Sequence, residues 1–143
     1  MYQFLEQTAA GHMTRTVRTV TRGLTIRELG SMFERDDFNS YPVEEDGQMV
    51  GLVTKFDFLK CFAFTPNQMV PRYDDLMKRS VADVMVPEFI YVRSDTRLTR
   101  VLQLMVEHRF RSFPVIDSGH RLEGMIARGD ILRALEACAG GGG

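Results

Sequence analysis

The chain has 143 residues, 44% of them hydrophobic and 26% charged, and its formal net charge is −1. That composition is typical of a globular protein with one ordinary domain or two very small ones, and the near-neutral charge excludes a strongly basic surface for nucleic acid. No apolar run approaches the roughly 20 residues of a membrane-spanning helix, and the N-terminus lacks a signal-peptide pattern, so we expect a cytoplasmic protein that is not associated with a membrane.

The first predicted elements are a short strand at Val17–Val20 and an amphipathic helix. The apolar residues of this helix recur at helical spacing: Ile26, Leu29 and Phe33. Gly30 lies where the pattern calls for a side chain, and a glycine inside a helix costs about 1 kcal/mol relative to alanine. We therefore expect Gly30 to mark a close approach of neighbouring backbone.

The segment SYPVEEDGQMVGLVT, residues 40–54, predicts two strands joined by an Asp-Gly turn. A second helix is expected over Lys55–Ala63. It brings an excess of phenylalanine that one face of a short helix cannot hold: Phe56, Phe58, Phe62 and Phe64. Such an excess predicts an exposed apolar patch, and together with Gly30 it predicts a homodimer formed through the helices that end each half.

A linker bounded by two prolines follows, TPNQMVPRYDD at residues 65–75. Beyond it the same order of elements returns: a strand at Phe89–Val92, a helix, a hairpin over residues 112–127 with a Ser-Gly turn, and a helix over Arg128–Ala137. The apolar residues of the first of these helices again have helical spacing: Leu98, Val101, Leu102 and Met105.

The two halves are copies of one another. An offset of 72 residues, which becomes 73 after the hairpin turn, aligns Pro42 with Pro114 and Asp57 with Asp130. A unit of about 55 residues is too small to bury a sufficient core alone. We therefore predict an α/β fold in which two β-α-β-β-α repeats pack around a pseudo-two-fold axis. The expected boundaries are a first repeat with an N-terminal helical segment at 1–66, a linker at 67–80, a second repeat at 81–139 and a flexible glycine tail at 140–143.

These features resemble the tandem CBS-domain pair, also called a Bateman module. The resemblance is carried by the duplicated strand–helix–hairpin–helix unit, the SYPV and SFPV strands, and the G-x-x-T-x-x-D pattern in GLVTKFD, with GMIARGD at the matching place. It implies a stand-alone sensor that binds an adenosine-containing ligand in the cleft between the repeats and regulates another protein. AMP, ADP or ATP is the leading ligand class, with S-adenosylmethionine and NAD as further members.

The phrase GLVTKFD has two interpretations. Thr54 and Asp57 fit a helix capping box, which accounts for the first copy but less well for the second, because Ala127 cannot cap. Lys55 and Arg128 begin their helices, where the helix dipole disfavours a cation unless an anion binds there. In the resembled family the aspartate holds the ribose and the Thr or Ser contacts ribose or phosphate, so the missing hydroxyl predicts that the second copy binds a nucleotide such as AMP more weakly, although Arg128 could recover part of the loss by gripping phosphate with two donors.

The resemblance also implies the pocket walls, where adenine would lie between the first strand and the backbone before the PV strand. In the first copy these residues are Val17, Arg18, Asn39, Ser40 and Pro42, with Thr14 at the start. In the second they are Phe89, Ile90, Arg111, Ser112 and Pro114. Together with Thr54, Lys55, Asp57, Arg128 and Asp130 they complete the expected nucleotide-binding set. For Arg18 two roles stay open, contact with a phosphate or narrowing of the site against adenine.

Other chemistry is not indicated. Cys61 and Cys138 form no CxxC motif, the three histidines show no metal-ligand spacing, and no nucleophile–base pair is recognisable, so we expect neither a metal nor an enzyme. Two functions remain: the adenine-nucleotide sensor, and a ligand-independent dimerisation or interaction module with vestigial clefts. Neither reading identifies the effector protein.

Overall fold

The computed structural model describes residues 2–63 and 69–141. Six α-helices and four strands lie in these ranges, with short 3-10 turns at Ala9–Gly11 and Val81–Asp83. In chain order they are α1 (Tyr2–Glu6), α2 (Ile26–Arg35), β1 (Ser40–Glu45), β2 (Gln48–Thr54), α3 (Lys55–Lys60), α4 (Met69–Lys78), α5 (Leu98–His108), β3 (Ser112–Ile116), β4 (Leu122–Ala127) and α6 (Arg128–Gly141).

Two antiparallel hairpins form as predicted, β1 with β2 and β3 with β4. In the first, Asp46 and Gly47 both have positive φ, 53° and 79°, which is what a tight two-residue hairpin turn requires. In the second, the Asp117 carboxylate accepts the N–H groups of Gly119 and Arg121 at 2.8 and 2.9 Å. These local bonds hold the longer turn in place.

The strands expected at Val17–Val20 and Phe89–Val92 shrink to one residue each. Val20 forms a parallel bridge to Val43, and Val92 forms the matching bridge to Val115. A turn begins two residues after each valine. The extended backbone therefore leaves the neighbouring strand before a ladder can continue. With this correction, the predicted repeat of one strand segment, a helix, a hairpin and a helix is confirmed in both halves.

The chain divides into two compact units. The first-motif unit is Arg18–Phe89, and the second-motif unit combines residues 1–17 with 90–143. In the first-motif unit, Val86 pairs with Leu52 of β2; in the second-motif unit, Thr14 pairs with Met125 of β4. Each hairpin is thus completed by a residue from the start of the other repeat. The helical segment predicted at the N-terminus is present as α1, but it belongs to the second-motif unit.

Each unit has its own apolar core. In the first-motif unit α2 buries Ile26, Leu29 and Phe33 against strand residues that include Tyr41 and Val53. In the second-motif unit α5 and α6 bury the following residues, together with Phe4 and Met13 from the N-terminal segment: Leu98, Val101, Met105, Ile131 and Ala134. The helical spacing read from the sequence therefore predicts the buried faces correctly.

Three local expectations change. The linker holds a helix, because α4 runs over Met69–Lys78 and packs on α2 of the same unit. Helix α3 ends at Lys60, three residues early, in a turn at Cys61 and Phe62. Helix α6 continues to Gly141 and takes in the first residues of the expected glycine tail. Among the described residues, none of these helices combines the length and hydropathy needed to cross a membrane.

Gly30 does mark a close approach, but of a side chain. A Cβ on Gly30 would lie 2.9 Å from the Phe58 ring, which also stacks near Phe33 and Phe62. The phenylalanine excess is therefore largely absorbed within the first-motif unit, with Phe56 and neighbouring Leu59 left exposed. Phe64 lies outside the described residues. Gly30 consequently gives no support to the homodimer.

Candidate functional site

The first motif lies where β2 passes into α3. Thr54 Oγ1 accepts the N–H of Asp57 at 3.0 Å, and Asp57 Oδ2 accepts both the N–H and the hydroxyl of Thr54 at 2.9 Å. This is the complete capping box that the pattern predicts. Asp57 is only 5% exposed, and its other oxygen, Oδ1, lies 3.4 Å from Nζ of Lys60. The hydroxyl of Thr54 both donates and accepts within the box.

The second motif keeps half of this arrangement at the junction of β4 and α6. Asp130 Oδ2 accepts the N–H of Ala127 at 2.8 Å, and Asp130 Oδ1 pairs with the Arg133 guanidinium. Asp130 is 6% exposed. Capping therefore accounts for Asp130 without a threonine, because the carboxylate needs only the backbone N–H at the N-cap position. The sequence argument that capping explains the second copy less well is corrected on this point.

In each aspartate the two carboxylate oxygens have different environments. Oδ2 accepts a backbone N–H inside the cap, whereas Oδ1 forms an ion pair with a side chain three residues later, Lys60 or Arg133. The side chains of those cations are largely exposed, 58% for Lys60 and 72% for Arg133. Only the cation of each pair is exposed to solvent, since both aspartate side chains are 6% exposed. A ligand hydroxyl can therefore replace or share the cation at Oδ1 while the cap at Oδ2 stays intact.

The motif glycines are explained by close packing. A Cβ on Gly51 would lie 2.6 Å from Met85 Sδ and 3.3 Å from the Val86 carbonyl oxygen. A Cβ on Gly124 would lie 2.6 Å from the Thr14 carbonyl oxygen. Both positions lie beside the edge segment that completes the hairpin, so the repeated glycine serves the fold of each unit.

Most of the predicted pocket residues gather around their motifs. Asn39 and Arg111 accept, through their carbonyl oxygens, the N–H groups of Lys55 and Arg128 at 2.9 and 3.0 Å. Ser40 pairs with Thr54 and Ser112 with Ala127 at the ends of the hairpins. Pro42 and Pro114 are buried at the middle of β1 and β3, and their carbonyl oxygens accept from Val20 and Val92.

Three predicted residues fall in the unit opposite to the motif they were assigned to. Thr14 pairs with Met125 and Val17 also belongs to the second-motif unit, whereas Phe89 belongs to the first-motif unit. Arg18 and Ile90 lie in the units expected for them, and Ile90 packs against the core there. The physical reason is that the start of each repeat pairs with the hairpin of the other repeat and so belongs to the unit of that hairpin.

Arg18 forms an ion pair within the first-motif unit, and the two roles left open by its sequence position stay predictions. Its Nη1 lies 3.2 Å from Oδ2 of Asp36, the same oxygen that accepts the Tyr41 hydroxyl at 2.9 Å. Burial, followed by the bond to Asp36, raises the pKa of Tyr41 well above its usual value. The motifs in the sequence do not point to Asp36. The offset of 72 that aligns the repeats places Asp36 opposite His108, and this difference in charge between matching positions is the signal that could have identified it.

A basic segment adjoins the second motif. The Arg128 side chain donates from Nε to the Phe110 carbonyl at 3.3 Å and from Nη2 to the Arg109 carbonyl at 3.5 Å. Its backbone N–H is bound to Arg111. These bonds bring the backbone of Arg109 and Arg111 to Arg128 at the start of α6. Arg111 and Arg128 were predicted from the sequence as site residues, and Arg109 was not.

Both repeats of the chain match one family model. This model, described as CBS domain, matches residues 9–63 and 81–137. CBS domain-containing protein CBSX1, chloroplastic, of Arabidopsis thaliana is 29% identical over 130 residues, which cover 77% of this chain and 55% of that protein. CBS domain-containing protein YhcV of Bacillus subtilis is 30% identical over 120 residues, which cover 83% and 79%. The chain thus spans about half the length of the first of these relatives.

Among solved structures, CBSX2 of Arabidopsis thaliana in complex with AMP matches with a TM-score of 0.80 and 25% identity. The match covers 92% of this chain and 98% of that one. This likeness and the two family matches extend over both repeats.

Proposed function

Because the chain belongs to the CBS-domain family, we propose that it is a regulatory module that binds adenosine-containing ligands, with AMP, ADP or ATP as the leading class. S-adenosylmethionine and NAD are the further candidates. The proposal assigns the chain no catalytic step. Its output is a change in a protein partner that responds to the bound state.

One observation carries this proposal. At two matching places the fold buries an aspartate, fixes one of its oxygens by a helix cap, and pairs the other with an exposed cation. A carboxylate oxygen in that position is a good acceptor for a ribose hydroxyl. The AMP complex of CBSX2 supports the choice of ligand class.

The site residues are proposed accordingly. In the first-motif unit Asp57 would accept from the ribose, with Lys55, Asn39 and Ser40 beside it. In the second-motif unit Asp130 would take the same role, with Arg128, Arg111 and Ser112 beside it. Pro42 and Pro114 shape the strands behind these groups through their buried rings.

The test is a thermal-shift panel with AMP, ADP, ATP, S-adenosylmethionine and NAD. A ligand that binds only the folded chain raises its melting temperature, by an amount that corresponds to about 2.7 kcal/mol at a ligand concentration of one hundred times Kd. Asp57→Asn and Asp130→Asn keep an oxygen for the cap while removing the charge. Each should reduce the shift, and a panel without any shift would refute the proposal.

The alternative is a ligand-independent interaction module. It is favoured by the saturation of the cap, since the Thr54 hydroxyl and one oxygen of each aspartate already have partners. Under this alternative, none of the five compounds shifts the melting temperature, and the two Asp→Asn variants affect stability alone. The same panel therefore separates the two functions.

We further propose a homodimer formed by apolar helix faces. Helices α5 and α6 border a groove of about 310 Å³ that is lined by six apolar side chains and by Arg109 and Arg128, and two of the apolar residues, Val106 and Leu132, are 71% and 58% exposed. Exposed apolar side chains gathered in this way are typical of an interface. Light scattering at tens of micromolar should give twice the mass of the chain. Leu132→Glu should reduce it to a monomer, whereas a monomeric native chain would contradict the proposal.

We also propose a cytoplasmic location. Two cysteines are free, Cys61 half-buried and Cys138 buried, which fits a reducing compartment. Burial raises the pKa of the Cys61 thiol, so the less reactive protonated form is favoured there. Alkylation of the native chain should consequently be slow at Cys61 compared with the unfolded chain.

A further inference from the structure

The two repeats carry opposite charge at matching positions next to their motifs. Residues 36–39 contain two carboxylates, Asp36 and Asp37, whereas the matching residues 108–111 contain two guanidinium groups and an imidazole. Both segments run from the end of a helix to the start of a hairpin. The backbone carbonyl of the last residue in each, Asn39 or Arg111, accepts the first N–H of the motif helix. The residues that differ in charge therefore belong to the short segment whose last backbone carbonyl is bonded to each motif helix.

In the first-motif unit the nearby cations already have partners. Arg18 pairs with Asp36 at 3.2 Å, and Arg35 also approaches Asp36, at 3.8 Å. Lys60 pairs with Asp57 at 3.4 Å. Among the cations named around this motif, Lys55 alone is without an ion pair in the described part of the chain. This unit offers little positive charge to a chain of phosphates.

In the second-motif unit the balance is reversed. Arg109 and Arg111 are exposed, and neither has a carboxylate partner among residues 2–63 and 69–141. Arg109 also has φ of 57°, in the left-handed region at the end of α5, where glycine or asparagine is the usual choice. Position 109 therefore holds a cation where a smaller residue is usual.

The threonine of the first motif does not offset this difference. The sequence predicts tighter nucleotide binding at the first copy than at the second, because Thr54 has a hydroxyl and Ala127 does not. In the structure that hydroxyl donates its hydrogen to Asp57 and accepts the Asp57 N–H. In this arrangement it has no spare donor for a phosphate, so the hydroxyl does not by itself favour phosphate at the first motif.

We infer that the two motifs select different ligands: the second, at Asp130, takes a polyphosphate nucleotide such as ATP, and the first, at Asp57, takes an adenosine compound with little or no phosphate charge. This inference rests on the proposed function. Guanidinium groups bind phosphate oxygens with two parallel donors, and each phosphate added to the ligand adds negative charge. The preference of the second motif should therefore rise from adenosine through AMP to ATP.

The experiment is calorimetry of the full chain with adenosine, AMP and ATP, in Asp57→Asn and Asp130→Asn backgrounds that each leave one motif intact. With the second motif intact, the ratio of ATP to adenosine affinity should exceed the ratio at the first motif by about tenfold or more. Adding Arg109→Asn and Arg111→Asn should abolish this excess, because the loss of affinity is larger for ATP than for adenosine. Asparagine suits the left-handed backbone at position 109 and matches Asn39 at position 111, so the fold is preserved.

The matched control removes the same charge elsewhere in the unit. Arg100 is near the start of α5 and Arg121 is at the hairpin turn, and both are exposed. Arg100→Asn with Arg121→Asn should leave the ATP preference unchanged. Equal ATP-to-adenosine ratios at the two motifs, or an equal loss in the control, would overturn the inference while the proposed function stands. If none of the three compounds binds the native chain, AMP and ATP are excluded as ligands, and the proposed function itself fails once S-adenosylmethionine and NAD also give no thermal shift.

Discussion

Replacing the two motif glycines by alanine should have unequal effects, because the atoms that an added Cβ meets differ in kind. At Gly124 the new methyl would lie 2.6 Å from the carbonyl oxygen of Thr14. Thr14 exchanges two backbone hydrogen bonds with Met125, at 2.8 and 2.9 Å. Backbone held in this way cannot move aside without losing at least one of these bonds.

The expected magnitude for Gly124→Ala combines two effects. Overpacking costs about 1–3 kcal/mol, and a lost backbone hydrogen bond adds about 0.5–1.5 kcal/mol. We therefore expect the free energy of unfolding to fall by roughly 2–4 kcal/mol, a large share of the 5–15 kcal/mol typical of a whole protein.

At Gly51 the first obstacle is a flexible side chain. The added methyl would lie 2.6 Å from Met85 Sδ, whereas the nearest backbone atom, the Val86 oxygen, is 3.3 Å away. Because a methionine can change rotamer, Gly51→Ala should cost about 1–2 kcal/mol. Met85→Ala should reduce that cost in a double-mutant cycle, whereas Met13→Ala should not rescue Gly124→Ala.

The assay is urea unfolding followed by circular dichroism, with Gly23→Ala as the control. A Cβ at Gly23 meets nothing within 4 Å, and its backbone is not left-handed, so the change should lie within about 0.5 kcal/mol of zero or be slightly stabilising. A loss at Gly51→Ala equal to or larger than that at Gly124→Ala would refute the reasoning.

Three further predictions concern stability. Thr54→Ala should lower the free energy of unfolding by about 0.5–2 kcal/mol because it removes the capping hydroxyl, and Ala127→Thr should raise it because it adds one. Urea titrations without these opposite signs would contradict the capping account. Tyr41→Phe removes the hydroxyl bond to Asp36 and should cost about 1–2 kcal/mol at pH 7. Because the pKa of Tyr41 is raised in the folded state, its stabilisation is complete below about pH 10 and declines above it, so the native chain should lose more stability between pH 9 and 11 than the variant does. A fragment of residues 18–89 should unfold cooperatively, whereas 1–66 should not, because it lacks the segment around Val86 that pairs with β2; a folded 1–66 fragment in circular dichroism would disprove this.

The sequence predicts those features whose cause is local. Helical spacing identifies the buried faces of α2 and α5, and the Asp46-Gly47 dipeptide identifies a hairpin turn because few residues adopt positive φ. The Thr54-x-x-Asp57 spacing predicts the capping box, since both bonds lie within four residues.

Features that depend on distant partners could not be read in this way. Nothing near Thr14 indicates that it pairs with Met125, more than a hundred residues away. Arg18 finds Asp36 across 18 residues, so its interpretation as a pocket residue rested on the family resemblance alone. The strands around Val20 and Val92 are short because turns follow them. The β propensity of a segment does not predict where its hydrogen-bonded pairing with a neighbouring strand ends.

The exchange of edge segments has a consequence for how concentration affects this fold. A peptide with one repeat could complete its hairpin only with the segment of a second molecule, so its folding would depend on encounter between chains. Joining two repeats in one chain turns that encounter into an intramolecular step, with an effective concentration set by the connecting residues, typically in the millimolar range for short connections. The pairing of Thr14 with Met125 and of Val86 with Leu52 is therefore independent of how dilute the protein becomes.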